Sequence, residues 1–445
     1  MNAVPMNALS LRRTLSDPFA LLVVVLLFGF LLMSRSFAHW GIPPLYIGET
    51  ALAAFMLVKP AALLWPWLNS LSVPTKLTGF GWMLAISLAY GVLELADVLI
   101  ARKLSIRAIE CFAFYVYPLY LFPGVWFGIR FPELLPRLVR VLAWWHGFYA
   151  ILFLIVLEPF NLTQFPDDQS IGVFGHPIGT AILILGMFTF EPNLKKAAIP
   201  LALNMFAMLA MQRRAEWVGF GASVVLWAVL SGRTKQLSYF GGVLLGVFFL
   251  GLIPGVRFPT PGLRGGEATS SWDLVGRMVS AIDPELAGQL TKKAEDYGAT
   301  ASWRSDFWAG IWEQVHVSAG RMAFGLGFDY PLWQLHPLNL EDAPVRTPHN
   351  IFMFVLGYSG WLGVLIFVGL QLAIAHMLWR TYRETNDPFG ICLWLMTIIW
   401  AAFDPLFETP FHAIPTFLLM GLAAAQTRTT KRRDPSGRSQ LSTSS

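Results

Sequence analysis

The chain has 445 residues, of which 55% are hydrophobic and only 13% are charged, with a formal net charge of +5. A soluble globular protein carries about 25% charged residues, so this composition excludes a water-soluble globular protein and predicts a chain that lies mostly in a lipid bilayer. The cysteines Cys111 and Cys392 both lie in apolar stretches, and we expect neither a disulfide nor a cysteine metal site.

Apolar stretches long enough to cross a bilayer, which takes about 20 residues, recur along most of the chain. Their approximate positions are 18–34, 44–59, 79–96, 109–128, 138–157, 175–190, 198–213, 216–231, 237–254, 350–375, 389–404 and 409–426. We therefore predict an all-α integral membrane protein with about twelve transmembrane helices. The first stretch lacks a small-residue cleavage site, so we expect it to remain as an anchor.

One long polar segment interrupts this pattern and divides the chain. Residues 1–254 are expected to form a bundle of about nine spans, and residues 349–426 about three more. Residues 255–348 are expected to form one large, partly helical outer loop, since connections of this length are usually functional. Residues 427–445 form a basic tail that we expect to be cytoplasmic and disordered.

Within the loop, the sequence predicts helices over Pro284 to Tyr297 and Ser302 to Val317. The second carries an apolar stripe at near four-residue spacing, made of Trp303, Phe307, Ile311 and Val315. Trp308 and Trp312 are expected to widen that stripe. A helix of this kind is expected to lie on the membrane surface or to cap a cavity between spans.

Orientation follows from the basic residues, which are enriched in cytoplasmic loops. With the N-terminus inside, the inner loops carry Lys59, Lys76, Arg130, Arg137, Lys195, Lys196, Arg233, Lys235, Arg380 and Arg383. The outer loops at 158–177 and 404–410 have no Lys or Arg. Arg102, Lys103 and Arg107 fall on the outer side by this count, either because a span is miscounted or because they serve the outer surface.

Three arginines are candidates for binding an anion at the outer face. Arg213 and Arg214 end the seventh predicted span, and Arg304 opens the aromatic helix of the loop. Arginines between apolar helices are costly and often mark a site, and the guanidinium suits phosphate through its paired donors. The alternative is that the span-end pair reaches the membrane interface and that Arg304 is a solvated surface charge.

Histidines stand at two Pro-bordered entries to predicted spans. His349 follows Pro348, where exposed helix N–H groups could bind an anion, and it could act as a general base or as a phosphate ligand. Asn350 beside it is a candidate for substrate binding. His176 opens the sixth predicted span in a similar context and is a second candidate. The alternative for each histidine is a structural role at the helix start.

The outer turn from Asp404 to His412 holds a third candidate group. Glu408 could bind acceptor hydroxyls, although we favour a solvated carboxylate, and His412 flanks the same turn. We expect no metal site, since no His-x-x-x-His or Asp-x-Asp arrangement is present. No phosphate-binding Gly-rich loop is present, and we expect no nucleotide cofactor.

The order of these motifs resembles the O-antigen ligase and O-antigen polymerase superfamily of bacterial membrane glycosyltransferases. The resemblance spans about Phe19 to Ala425 and is sharpest from Ser302 to Leu370. It rests on a span-end arginine, then Trp303-Arg304-x-x-x-Phe-Trp, then Ala-Phe-Gly-Leu-Gly-Phe at 323–328, then His349-Asn350-Ile-Phe-Met-Phe-Val-Leu-Gly-Tyr-Ser-Gly-Trp-Leu-Gly.

The resemblance carries site roles to matching positions. Arg214 takes the place of the arginine in the family's span-end Ser-Arg-Gly motif, whose Ser and Gly are replaced here by Arg213 and Ala215. Arg304 and His349 match the family's loop arginine and loop histidine. His176 occupies a place where relatives often carry Asn before Pro.

The resemblance also implies a fold, a reaction and partners. It implies a GT-C type transferase in the bacterial inner membrane, with its site facing the periplasm and with no cofactor, metal or nucleic acid. The donor would be an undecaprenyl-diphosphate-linked glycan, and membrane lipids would surround the polyprenyl tail. The acceptor would be another sugar repeat for a polymerase, or lipid A–core for a ligase. We lean slightly to an O-antigen or exopolysaccharide polymerase, since nothing marks a core-binding face.

A function of another class remains open. About twelve spans with Gly and Pro would also suit a secondary transporter or flippase of a polysaccharide precursor. No internal repeat is visible, and the ionisable residues within predicted spans are few: Glu49, Glu94 and His146.

Overall fold

The computed structural model describes most of the chain as α-helices with one short β-hairpin. The described residues are 16–42, 45–73, 75–101, 105–157, 160, 179–191, 193–211, 214–235, 237–238, 241–242, 249, 271–279, 286, 289, 294–335 and 347–426.

The elements are named here in chain order. The helices are α1 Pro18–Met33, α2 Arg35–Ala38, α3 Ile47–Leu57, α4 Pro60–Ser72, α5 Thr78–Ile100, α6 Ile106–Val116, α7 Leu121–Arg130, α8 Leu134–Leu152, α9 Thr180–Phe190, α10 Leu194–Met211, α11 Arg214–Ser231, α12 Ser271–Val279, α13 Ala294–Val315, α14 Ala319–Phe324, α15 Ile351–Thr385, α16 Phe389–Ala401 and α17 Pro410–Ala424. Short 3₁₀ helices cover Tyr117–Tyr120 and Leu332–Leu335, and a π-helical turn covers Phe153–Leu157. The hairpin pairs β1 Gly41–Ile42 with β2 Leu45–Tyr46 in antiparallel register.

Several described helices are long and apolar enough to cross a membrane, which supports a helical membrane protein. Four pass by length and composition, and a fifth is counted if α3 and α4, which meet at a bend of 74°, form one broken span. The four are Thr78–Ile100, Ile106–Arg130, Leu134–Leu157 and Ile351–Thr385. Shorter apolar helices include α1, α9, α16 and α17. The count of about twelve spans and the placement of a periplasmic loop stay predictions.

Helices α7 and α17 form a closely packed pair. A Cβ atom added at Gly421 would overlap the carbonyl oxygen of Leu121, and one added at Gly124 would overlap that of Leu418. Small residues let helix backbones approach in this way. Further along α7, Gly128 faces Leu422, which lies further along α17. The two helices therefore run parallel.

Packing between the other helices defines two ends of the bundle. We call the end where residues 402–409 join α16 to α17 the loop end, and the opposite one the tail end. At the tail end Lys76 pairs with Glu384 at 3.6 Å, and Arg130 pairs with Asp17 at 3.7 Å. The predicted inner-loop residues Lys76 and Arg130 therefore share one end, while orientation in a membrane stays a prediction.

Helix α15 is broken at Gly360, where φ is 61° and ψ is −167°. Such a break frees backbone carbonyls that need new donors. Leu326 N donates to Gly357 O at 2.8 Å, and Gly327 N donates to Tyr358 O at 3.2 Å. The motif at 323–328 thus docks against the broken helix.

Two tyrosine hydroxyls complete the hydrogen bonding at the break. Tyr90 Oη donates to Ser359 O at 2.8 Å, and Tyr115 Oη lies 2.6 Å from Ser359 Oγ. Phe328 is fully buried, with its ring centroid 5.7 Å from that of Tyr115. The segment 323–328 is therefore fixed to both α5 and α6 through the broken helix.

The aromatic loop helix packs against α15 along its apolar stripe. Phe307, Ile311 and Val315 of α13 are fully buried, and the side chains of Ile311 and Leu332 face Gly357. Trp312, by contrast, is 45% exposed. The stripe therefore packs α13 against α15, while Trp312 faces away from the core.

Two described helices differ from the spans that the sequence predicted. Helix α4 was not predicted, and α15 extends to Thr385 rather than ending near 375. Most of the predicted span at 237–254 and of the predicted loop helix at 284–297 lies outside the described residues.

Candidate functional site

Arg304 projects from α13 to the loop end of the bundle. Its Nη1 donates to the carbonyl oxygen of Phe403 at 3.2 Å, and its Nε is buried without a hydrogen-bond partner in the described part of the chain. Burial lowers the pKa of Arg304 from its usual range, and the nearby charge of Asp404 opposes that change. An arginine remains a cation at neutral pH, so this guanidinium keeps donor capacity for an anion.

His349 is held just before α15 in an uncommon backbone conformation. Its φ is 51°, in the left-handed region that non-glycine residues rarely adopt. Asn350 fixes the next position, because its Oδ1 accepts from Phe352 N at 2.9 Å and from Met353 N at 3.2 Å. Trp308 Nε1 holds the preceding residue by donating to Pro348 O at 2.8 Å. Strain at a residue fixed from both sides is typical of functional positions.

Asp404 joins His349 to Arg304. His349 Nδ1 lies 3.4 Å from Asp404 Oδ1, and the two side chains are 26% and 24% exposed. Trp400 Nε1 donates to Asp404 Oδ2 at 3.1 Å, so the carboxylate is oriented from both sides. The Trp303 ring stands edge-on to the imidazole of His349, with centroids 5.9 Å apart.

This arrangement leaves one imidazole nitrogen for chemistry. With Nδ1–H directed at Asp404, Nε2 carries the lone pair, and it makes no hydrogen bond within the described residues. A histidine oriented by a carboxylate in this way can accept a proton from a hydroxyl and hold the resulting positive charge. Arg304 beside it can stabilise negative charge that develops on a leaving group.

Arg214 begins α11, and the helix register brings its backbone to the same end. Ser223 Oγ donates to Cys392 O at 2.9 Å, and one turn earlier Gly219 faces Met396 O. Helices α11 and α16 are therefore antiparallel, and continuing this register puts Arg214 level with Ala401, just before Asp404. Only the backbone of Arg214 is described.

The remaining sequence candidates have separate outcomes. Arg213 and His176 lie outside the described residues. Asn350 caps α15, and its side chain occupies two of the helix N–H groups that had been expected to face an anion. Glu408 had been expected to be solvated, and that expectation is wrong, because both of its carboxylate oxygens are buried. His412, which flanks the same turn, is 6% exposed.

Glu408 is an acid at the loop end whose pKa is strongly perturbed. Burial raises its pKa to about 8, the charge of Asp404 acts in the same direction, and the Thr347 side chain beside it acts against both. Both carboxylate oxygens are buried, and hydrogen bonding to the Thr347 side chain favours the ionised form. A carboxyl group in this position is mostly neutral at pH 7.

Sequence reasoning noted Asp404 only as part of a turn and missed its role. A signal was present in the sequence, because Asp404 directly follows an apolar helix and precedes Pro405. An acidic residue at the edge of an apolar helix often pairs with another polar group. Its partner His349 lies far away in sequence, so the pairing itself was not visible.

Within the described residues, no group of three or more His, Cys, Asp or Glu side chains could hold a metal ion. No family model matches the chain, and no curated protein matches it. Function therefore rests on the residues at the loop end.

Proposed function

We propose that the protein is a membrane glycosyltransferase that moves a glycan from undecaprenyl diphosphate to a hydroxyl acceptor. The observation that carries this proposal is the convergence of Arg304, His349 and Asp404 at one end of an apolar helical bundle. A cation, an oriented base and lipid-accessible helices are what transfer from a lipid diphosphate requires.

The arginines would hold the donor. Arg304 carries a buried Nε without a partner in the described chain, and Arg214 starts α11 at the same end. Two guanidinium groups can bind a diphosphate through paired hydrogen bonds and stabilise its charge as it leaves. Arg213 is proposed as an additional diphosphate contact.

His349 would take the acceptor proton. As its Nε2 removes that proton, the acceptor oxygen attacks the anomeric carbon, the new glycosidic bond forms and the bond to the phosphate oxygen breaks. Undecaprenyl diphosphate leaves with the bonding electron pair, and the anomeric configuration inverts. Asp404 stabilises the imidazolium that results.

The remaining features of the proposal concern location and acceptor. We propose a multi-pass protein of the bacterial inner membrane with the loop end facing the periplasm, belonging to the O-antigen ligase and polymerase superfamily. Both acceptor classes stay open. A deletion strain separates them, since loss of all capped surface polysaccharide indicates a ligase and single-repeat products indicate a polymerase.

The decisive experiment uses the purified chain in lipid nanodiscs with an undecaprenyl-diphosphate glycan, each acceptor class in turn, and a chelator present. We expect transfer by the native protein and a loss of about 10²-fold or more in Arg304→Ala and in Arg214→Ala. The matched control is Arg321→Ala, an exposed arginine of α14 whose Nη1 contacts Gln314 Oε1 at 3.3 Å. Retained transfer in both site variants would refute the proposal.

The same assay tests the transporter alternative. The reaction is run in nanodiscs, which have no closed compartments, so no ion gradient exists. Product formed under these conditions requires chemistry on the donor, whereas a transporter or flippase leaves the donor unchanged.

A further inference from the structure

Glu408 lies at the loop end, near the proposed site, and forms no ion pair within the described residues. Both carboxylate oxygens are buried, and the hydrogen-bonding group that acts on them is the side chain of Thr347, two residues before His349. Burying an ionised carboxylate without a partner costs several kcal/mol, so such a group either binds a cation or keeps its proton. No metal-binding group of side chains is found in the described chain.

The surroundings of Glu408 include few groups that could stabilise a second negative charge. Asp404 lies on the same turn, and Thr347 lies on the segment that leads to His349. On α15 and α6, Tyr358 and Cys111 interact electrostatically with Glu408.

The charged groups of α6 complete these surroundings. Arg107 acts on Cys111 and Tyr358, and Glu110 acts on Cys111. Arg107 forms no ion pair with Glu408 in the described structure, and its guanidinium lies over the Trp333 ring, 5.9 Å from the centroid. The only cation on α6 near this carboxyl group is therefore directed elsewhere.

We propose that Glu408 works as a neutral carboxylic acid that positions the His349 segment and sets the upper pH limit of transfer. This inference rests on the proposed function. Two carboxyl groups on one turn then have two roles: Asp404 is the charged partner of His349 and Arg304, while Glu408 keeps its proton. Environments that separate two acids in this way are typical of acid–base sites.

Ionisation of Glu408 has a defined consequence for the site. A second negative charge beside Asp404 competes for the guanidinium of Arg304 and repels the donor diphosphate. Transfer should therefore fall as pH rises through about 8, the pKa to which burial raises this group. A positioning residue of this kind touches neither donor nor acceptor.

The stability of the fold gives a readout that does not depend on any substrate. A carboxyl group whose pKa is raised in the folded state binds more protons when folded, so ionisation favours the unfolded chain. Native stability should fall as pH rises from about 4.5 to about 8. Glu408→Gln, which cannot ionise, should remove that part of the pH dependence.

The test compares the full native chain with Glu408→Gln in nanodiscs, measuring thermal unfolding midpoints and transfer rates from pH 5.5 to 9. We expect the variant to show a flatter stability profile, transfer within about threefold of native at pH 7, and no decline at pH 8–9. Parallel stability profiles would overturn the inference. So would loss of transfer at pH 7, because glutamine keeps the neutral form.

The two proposals fail differently in this experiment. If the native chain transfers no glycan to any acceptor, the proposed function fails, and the stability profiles still decide whether Glu408 is neutral. Suppose instead that the native chain transfers glycan and that Asp404→Asn is inactive at every pH, as the proposed function requires. If the transfer rate of Glu408→Gln then falls above pH 8 as the native rate does, only the inference about Glu408 is refuted.

Discussion

Replacing Gly360 with alanine tests how the loop segment is fixed to the bundle. The residue has φ 61° and ψ −167°, a conformation that costs a side-chain residue about 1–3 kcal/mol. Its new Cβ would also overlap the carbonyl oxygen of Ala323. Relieving that overlap moves the docked segment away and breaks its two backbone hydrogen bonds to Gly357 and Tyr358, each worth about 1 kcal/mol.

Together these terms predict that Gly360→Ala weakens docking by about 3–5 kcal/mol. Since about 1.4 kcal/mol corresponds to a tenfold change, the undocked population should rise by about 10²- to 10⁴-fold. Limited trypsin digestion measures that population through the rate of cleavage after Arg321, an exposed residue of α14. The cleavage rate follows the undocked population when the segment docks again faster than trypsin cleaves it. Transfer activity should fall in parallel, because the same loop carries Arg304 on α13.

Gly369→Ala on the same helix is the matched control. There a Cβ atom would meet only Met83, at the tip of a flexible side chain, and the backbone needs no left-handed conformation. We expect native cleavage after Arg321 in this variant. Equal cleavage rates in Gly360→Ala and Gly369→Ala would show that the break in α15 does not hold the segment, and the reasoning would be refuted.

Two further predictions concern the site and its support. Asp404→Asn should lower kcat for transfer by about 10²–10⁴-fold, because His349 loses its charged partner, with little change in the donor KM. An unchanged kcat in a steady-state transfer assay would show that Asp404 does not assist His349. Tyr115→Phe removes a hydroxyl 2.6 Å from Ser359 Oγ and should destabilise the fold by about 1 kcal/mol, measured as a lower thermal unfolding midpoint; an unchanged midpoint would show that this contact is not stabilising.

The sequence predicted apolar helices well because the signal for each is local. The predicted stretch at 18–34 matches α1, and that at 389–404 contains α16. The bend of 74° between α3 and α4 was not predictable, since it depends on how each half packs. Gly360 was also hidden, because glycine is common in apolar helices and only contact with the loop segment shows a break.

The site was predicted in part, and the gap has a physical cause. Arg304 and His349 stood out because each is a polar residue beside aromatic or proline-bordered sequence. Asp404 and Glu408 were misjudged because the burial of a turn between two helices depends on what packs over it. Helix α13 covers that turn, with Arg304 bonded to Phe403 O, and no local pattern reports this contact.

The broken helix and the docked loop segment require each other. Without Leu326 and Gly327, the carbonyls of Gly357 and Tyr358 would lose their donors, and buried carbonyls without partners are costly. Without the break, the segment would have no exposed backbone to pair with. The helix that carries Arg304 is thereby held against α15, which His349 directly precedes, before any ligand arrives. An anion entering at the loop end meets a guanidinium already in position, so little reorganisation is needed as negative charge develops.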